Sequence, residues 1–383
     1  MKVLIVGGTG VISTAVVNEA VAQGIELTCV NRGNNHGNKL NPNVKAMHFD
    51  IRNRKVANEH LQGKFYDVVV DFICFNANQV RYSLDLFHDK CKQYVFISTD
   101  SVYKLQKDGC YDETTPQSNP EWAYSYQKAE CEEIVRSFCK EHNLIYTIVR
   151  PSITYGNTRI PYGFMPAYGY HYTLIERIKA GKPIVTWNHG NNYQTVMRVE
   201  DFATGMVGLW CNPKAYNEDF GICGEPVTWS QILDAIEDKV GIKADRLDVP
   251  VETIIKVLPE RKGEFLVDRA EDHIVSNKKL RMAVSSYNLK YDIKKGISKT
   301  IDYYINNDKI LGIDYRFDGQ MDRVAASLIG GGKIGYLNYG ARNSLTNYTQ
   351  YLIGRYENNK LVRLLKFSIN IVLRVVRKIM RIL

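Results

Sequence analysis

Several things are scarce in this chain of 383 residues, and each absence narrows what it can be. The eight cysteines, Cys29, Cys74, Cys91, Cys110, Cys131, Cys139, Cys211 and Cys223, form no CxxC pair and keep no metal-ligand spacing. A disulfide scaffold and a zinc site are therefore excluded and no metal is expected. Thiols in apolar runs pack as small hydrophobes, which suits a reducing, cytoplasmic setting. The opening MKVLIVGGTG lacks the longer apolar stretch and small-residue cleavage site of an export signal. Acids are missing from one region: residues 331–383 hold ten Lys/Arg and a single acid, Glu357, which accounts for the whole formal charge of +9. The first 330 residues carry 40 bases and 40 acids, so the body is neutral and no nucleic-acid partner is expected.

What is present reads as alternating strands and helices. An apolar content of 45% suffices for a real core, and the length allows two domains. Short β-rich runs recur at KVLIVG, ELTCVN, KAMHFD, DVVVDFI, YVFIST and IYTIVR, with helix-like stretches between most of them. That alternation predicts parallel βαβ units and an α/β, Rossmann-type doubly wound sheet over residues 1–160, with segments around 190–225 returning to it. The helix after GGTG is expected to bury Val16, Val17, Ala20 and Val21 and to stop at Gly24. Past Arg150, PYGFMPAYGYHY and WNHGNNYQ have the composition of substrate loops. Residues 161–320 are therefore expected to form a smaller substrate-binding lobe, and 321–383 a linker and tail.

VLIVGGTGVIS sets Gly7, Gly8 and Gly10 at the junction of the first strand and first helix, with Val11 and Ile12 opening the helix. Glycines there permit a tight turn, bring backbone N–H groups close to a pyrophosphate and set it at the positive helix end. GxxGxxG would need a third glycine where Ser13 stands, a residue still small enough for close packing. A nicotinamide dinucleotide is the expected ligand. At the end of the second strand, CVNRGNN offers Asn31 and Arg32 rather than an acid, which favours NADP over NAD, a solvated surface arginine being the other reading. Asp50, closing the third strand beside Ile51, is placed to reach the adenine amino group or simply to cap a helix.

YSYQK places Tyr124 and Lys128 four apart at the start of a helical stretch, so the two share a face. An ammonium near a phenol favours the phenolate and lowers a pKa of about 10 towards that of a general base. Among 25 tyrosines the spacing alone would be ordinary chance. Thr99, ending the strand in YVFISTDSVY, adds a hydroxyl beyond the carboxyl edge of the sheet, where ligands of such sheets bind.

The glycine turn, the strand-end Thr followed by VY, and YxxxK, in that order, resemble the extended short-chain dehydrogenase/reductase family of sugar epimerases and dehydratases. The likeness covers roughly residues 1–300 and continues in RPSITYG (150–156) and RVEDFATG (198–205). NRG with DVVVDFI and FISTDSVY is similar to an atypical branch that includes plastid RNA-associated members. The resemblance implies Tyr124 as the base, Lys128 as its partner and ribose ligand, and Thr99 as the hydrogen-bonding hydroxyl. Their task would be oxidation of a sugar hydroxyl, usually at C4, by hydride transfer to the nicotinamide. It also implies substrate contacts at Asp100, Ser101, Ser152, Thr154, Gln194 and Arg198, and a homodimer built on the helix carrying YxxxK.

Sugar 4,6-dehydratases of this kind follow the threonine with Asp then Glu, whereas this chain reads Thr99, Asp100, Ser101. Without a carboxylate at 101 no base for the C5 proton is evident. An epimerase is therefore expected first, a keto-sugar reductase or dehydratase as the alternative, and a non-catalytic scaffold acting through the tail as a further one. Gln194 stands where nucleotide-sugar epimerases of the family carry a diphosphate-binding arginine, and Arg198 stands four residues on in place of a histidine. Either Arg198 takes the diphosphate role, or the sugar is not an ordinary nucleotide sugar. In LVRLLKFSINIVLRVVRKIMRIL, Arg363, Lys366, Asn370, Arg374, Arg377, Lys378 and Arg381 form one polar stripe, and the longest uncharged run, 367–373, is too short to span a bilayer. Residues 360–383 are expected to lie in the plane of an anionic membrane surface, packing on protein being the other reading. A lipid-linked sugar would suit that position.

Overall fold

The computed structural model describes residues 1–33, 39–117, 119–307, 312–330, 335, 345–357 and 362. Seven strands form the main sheet: β1 (Lys2–Val6), β2 (Glu26–Asn31), β3 (Lys45–His48), β4 (Tyr66–Asp71), β5 (Cys91–Ile97), β6 (Ile145–Pro151) and β7 (Glu218–Ile222). All pair in parallel, in the order β7-β6-β5-β4-β1-β2-β3. The first six are the β-rich runs of the sequence. Helices α1 (Val11–Ala22), α2 (Arg54–Leu61), α3 (Ala77–Phe87) and α4 (Ala123–Glu141) connect them. Further along come α5 (Tyr172–Lys179), α6 (Val199–Val207), α7 (Trp229–Val240), α8 (Ile293–Asn306), α9 (Tyr315–Ile329) and α10 (Leu345–Tyr356), besides shorter turns.

Both faces of a parallel sheet must be covered, and β1 shows how its residues divide. Val3 and Ile5 join Val16, Val17, Phe202 and Met206 of α1 and α6, while Leu4 and Val6 join Leu84, Phe87 and Val135 of α3 and α4. In α1, Val16, Val17 and Ala20 are buried and Val21 half-buried, and Gly24 turns the chain at φ +70°. The strand order reverses between β1 and β4, and ligands of such sheets sit beyond the carboxyl ends of the strands at that point.

A second core gathers Phe164 and Trp187 from loops and Trp229, Ile232, Tyr304 and Met321 from the later helices. The boundary expected between residues 320 and 321 falls inside α9. Asp318 and Asp322, one turn apart on that helix, are fully buried against Arg177 of α5 and Lys182, with Asp322 also accepting from the Tyr351 hydroxyl at 2.8 Å. The helix α10 lies across α9 so closely that a Cβ on Gly319 would run into the Tyr351 carbonyl, and one on Gly354 into that of Arg316. Among the described residues no helix is long and apolar enough to cross a membrane. The basic stripe expected over 360–383 lies, except for Val362, outside the described residues.

His171 gives this lobe a pH response. The ring is 2% exposed, and its Nδ1 lies 3.1 Å from the Ile160 N–H and 3.2 Å from the Ile160 carbonyl, a contact that favours the protonated ring. Burial, then the nearby Arg159 charge, pushes its pKa down to about 3. The unfolded chain therefore binds the proton more readily, and stability falls as pH drops from the ordinary histidine range towards 3. Between pH 7 and 5 His171 alone should remove about 2 kcal/mol, seen as the difference between the parent and His171→Gln in urea unfolding at the two pH values.

Candidate active site

Gly7 leaves β1 at φ +88°, and a Cβ there would stand 2.7 Å from Ile73 Cγ2, so the turn needs glycine. Gly10 caps α1, its N–H donating to Ser13 Oγ at 2.9 Å. Ser13 thus ties off the turn by a hydrogen bond, a role glycine could not fill. Val11 and Ile12 follow, half-buried. The half-buried Asn31, ending β2, has an Nδ2 without a partner among the described residues, and Arg32 beside it is exposed. Asp50 does not cap α2: it closes a turn by accepting the Arg52 N–H at 3.0 Å, and Asn53 is the cap. A cavity of about 200 Å³ opens beyond the ends of β3 and β4, lined by Ile51, Arg52, Asp71, Ile73, Asn78 and Tyr82. A glycine turn at a helix N-terminus, an unsatisfied buried amide and a cavity at the strand ends together fit a dinucleotide.

Beyond β5 the chain makes a single 3₁₀ turn, Asp100–Val102, capped by Thr99, whose Oγ1 accepts the Ser101 N–H at 3.3 Å. The start of α4 is pinned to this turn. Asn119 Nδ2 donates to the carbonyls of Ser101 and Tyr103 at 2.8 and 2.6 Å, and Ser125 Oγ donates to that of Ser101 at 2.6 Å. The pinning sets the Tyr124 phenol beside the Thr99 hydroxyl. Tyr124 keeps 37% of its surface accessible, yet protein surrounds its oxygen, and that burial pushes its pKa up to about 12. Thr99 draws it down through a hydrogen bond, and the charge of Asp100 raises it. Neither Asn119 nor Ser125 stands out in the sequence, although Ser125 lies within YSYQK.

Lower on α4, Arg150 from β6 clamps the helix to the sheet. Its Nε and Nη2 donate to the two oxygens of Glu132 at 2.9 and 2.6 Å, Nη2 also to Asp219 at 2.7 Å, and Nη1 to the Tyr103 hydroxyl at 3.2 Å. Burial raises the Glu132 carboxyl, but the Arg150 charge and hydrogen bonds outweigh it and hold the group below the usual range.

Residues 3–223 match a family of known proteins over more than half of the chain. The chain belongs to the NAD dependent epimerase/dehydratase family. It is 28% identical over 240 residues to the chloroplast stem-loop binding protein of 41 kDa b of Arabidopsis thaliana, an alignment spanning 58% of this chain and 59% of that protein. To the low-salt glycan biosynthesis protein Agl12 of Haloferax volcanii it is 24% identical over 81% of this chain and all of that one. The UDP-glucuronic acid 4-epimerase of Bacillus cereus, solved in complex with NAD, shares the fold at a TM-score of 0.64 and 18% identity, covering 81% of this chain and 98% of that one.

Within this member of the epimerase/dehydratase family, two expectations need correcting. Lys128 does not acidify Tyr124: its ammonium is 3% exposed and donates to the carbonyls of Cys74 and Ile97 at 2.6 and 2.7 Å, between the rings of Phe75 and Phe96. The phenol is raised instead of lowered, because desolvation acts without that compensating charge. Arg198 is not free to take a diphosphate. It is 1% exposed and bonded to the two oxygens of Glu200 at 2.7 and 3.2 Å, to Gly296 O and Thr300 Oγ1 at 3.0 and 2.6 Å, and to Asn157. These contacts use every N–H of the guanidinium to fasten α8 to the strand before α6.

The other expected substrate residues are all buried. Ser152 follows β6 with its hydroxyl unpartnered among the described residues, and Thr154 lies on the adjoining short strand Ile153–Tyr155. Gln194 is 0% exposed, its Nε2 donating to the carbonyls of Asp268 and Glu271 at 3.0 and 2.9 Å. Asp100 and Ser101 meet a group with no local sequence signal, the Asp268 side chain, which reaches Ser101 Oγ at 3.3 Å.

Proposed function

We propose that this chain is an NAD(P)-dependent C4 epimerase acting on a nucleotide-linked or lipid-linked sugar in glycan assembly. The observation that carries the reading is the Tyr124 phenol beside the Thr99 hydroxyl at the carboxyl end of β5, on the edge of the sheet that also holds the Gly7 turn. Thr99 hydrogen-bonds the sugar oxygen and Tyr124 takes its proton, returning it when the ketone is reduced from the other side. Lys128 and the residues Gly7, Gly10, Val11, Ile12, Asn31, Asp50 and Ile51 would hold the dinucleotide, which when bound accepts and returns the hydride. Arg32, in place of an acid at the end of β2, supports acceptance of NADP as well as NAD. The glycan biosynthesis protein among the relatives supports the pathway class. The reading also includes a homodimer formed through α4 and a berth at the cytoplasmic face of a membrane through residues 360–383.

Full-length protein supplied with NAD or NADP and with UDP-glucose or UDP-glucuronic acid is expected to invert C4, followed by proton NMR. Reduction of the dinucleotide with neither sugar, and no inverted product from these or from lipid-linked sugars, would remove the assignment.

A further inference from the structure

The apolar stripes of α9 and α10 run on past the body they pack against. On α9, Phe317, Met321 and Val324 are buried in the second core, and Leu328 continues the row one turn further with 46% of its surface exposed, beside Ile329 at 48%. On α10, Leu352 packs against a small cluster of Ile313, Tyr315 and Tyr351, whereas Tyr348 and Leu345, one and two turns back, are 46% and 83% exposed. The two helices are antiparallel: Arg316 pairs with Glu357 at 2.9 Å and Gly319 lies against Tyr351, so α10 descends as α9 climbs. The end of α9 and the start of α10 therefore share one tip, and its exposed side chains are apolar.

Single apolar side chains on a surface need no explanation, but four at one tip do. The charge around them has one sign. Between Asp322 and Glu357 the sequence has no acid, while Arg323, Lys333, Arg342 and Arg355 lie there. Glu357 is already answered by Arg316. Among the described residues Arg323 makes no hydrogen bond and has Glu260 no nearer than 3.8 Å, so its charge is poorly compensated. Helix geometry sets it about 8 Å behind Leu328. Apolar side chains at the tip, a tyrosine beside them and cations behind form the layering of an interfacial anchor. A second copy of this chain suits the tip badly, because at a two-fold axis the same patch faces itself and like charges meet.

We propose that the tip of the α9/α10 pair is a docking surface for an anionic lipid bilayer, with Leu328, Ile329, Leu345 and Tyr348 set into the boundary between headgroups and acyl chains. The inference stands apart from the catalytic reading, and to the berth through residues 360–383 it adds a second contact, carried by the folded lobe. Apolar burial supplies the affinity, and the excess of cations selects a negatively charged surface. The lobe meets the lipid through two helices held main chain against main chain at Gly319 and Gly354, so the fold sets how deep the tip goes.

The test is co-sedimentation of the full-length protein with vesicles of phosphatidylcholine alone or mixed with phosphatidylglycerol, with no substrate present. The parent should bind the mixed vesicles at least about tenfold more tightly than the neutral ones. Leu328→Asp with Ile329→Asp, in the full chain, should weaken binding to the mixed vesicles at least about tenfold, and Leu345→Asp on the other helix should weaken it in the same direction. The substituted positions are exposed, so the urea unfolding midpoint should stay that of the parent. Arg374→Glu with Arg377→Glu tests the berth through residues 360–383 separately. Binding that falls in the tip variants and not in the tail variant upholds the tip and removes that berth. Binding that falls only in the tail variant overturns the proposal, as do a parent that ignores phosphatidylglycerol and tip variants that bind like the parent. A parent that is dimeric without lipid and becomes monomeric in Leu345→Asp, with vesicle binding unchanged, would give the tip to a second copy and overturn it equally.

Discussion

Tyr124→Phe should lower turnover of C4 inversion by about 10³-fold while leaving the bound dinucleotide in place, a loss in the range that one positioned general base supplies. The substitution removes one oxygen and no packing, so the loss reports the proton transfer itself. The pH response carries a second signature. With burial pushing the phenol up to about 12, the free protein holds Tyr124 protonated at neutral pH, and the competent phenolate is the minor form. Its share grows tenfold per pH unit below that pKa, so log(kcat/KM) should climb with a slope of about one between pH 6 and 9 and flatten only near the limit of stability. An unchanged rate in Tyr124→Phe, or a flat profile in the parent, would take the phenol out of the reaction.

Arg150→Met should cost about 3–5 kcal/mol of folding stability, measured by urea unfolding, because it leaves the fully buried Glu132 charge without its principal partner. The sign with pH follows from Glu132. Its folded pKa lies below the unfolded value, so the stability it contributes is present above the unfolded pKa and is lost as pH falls through the folded one. That acid-side loss should be smaller in Arg150→Met, where nothing depresses Glu132 so strongly. Activity should suffer too, since Arg150 fixes the helix that carries Tyr124. A stability change below about 1 kcal/mol would mean that Arg136, 2.8 Å from Glu132, suffices alone.

The legible parts of this protein were the local ones. Six strands could be read because buried parallel strands are continuous β-branched runs such as VVVD of β4. The seventh, EDFGI, carries two acids and a glycine in five residues, and its Asp219 is answered by Arg150 of the neighbouring strand and Arg136 of α4. The glycine turn, Thr99 and the Tyr124/Lys128 spacing are likewise contained in a few residues each. What could not be read were the partners of long side chains. Lys128 answers to two carbonyls, one of them 54 residues away, and Arg198 to a helix about 100 residues on. Asp268 sits in a segment whose composition announces nothing, and only the wide turn of the backbone aims it at Ser101.

The bare crossing of α9 over α10 has a mechanical outcome. With Gly319 and Gly354 allowing main chain to touch main chain, and buried ion pairs riveting α9 to the lobe, the two helices behave as one rigid bracket. A push on either helix would therefore reach the buried ion pairs of the lobe as a displacement of both, not as a bend in one.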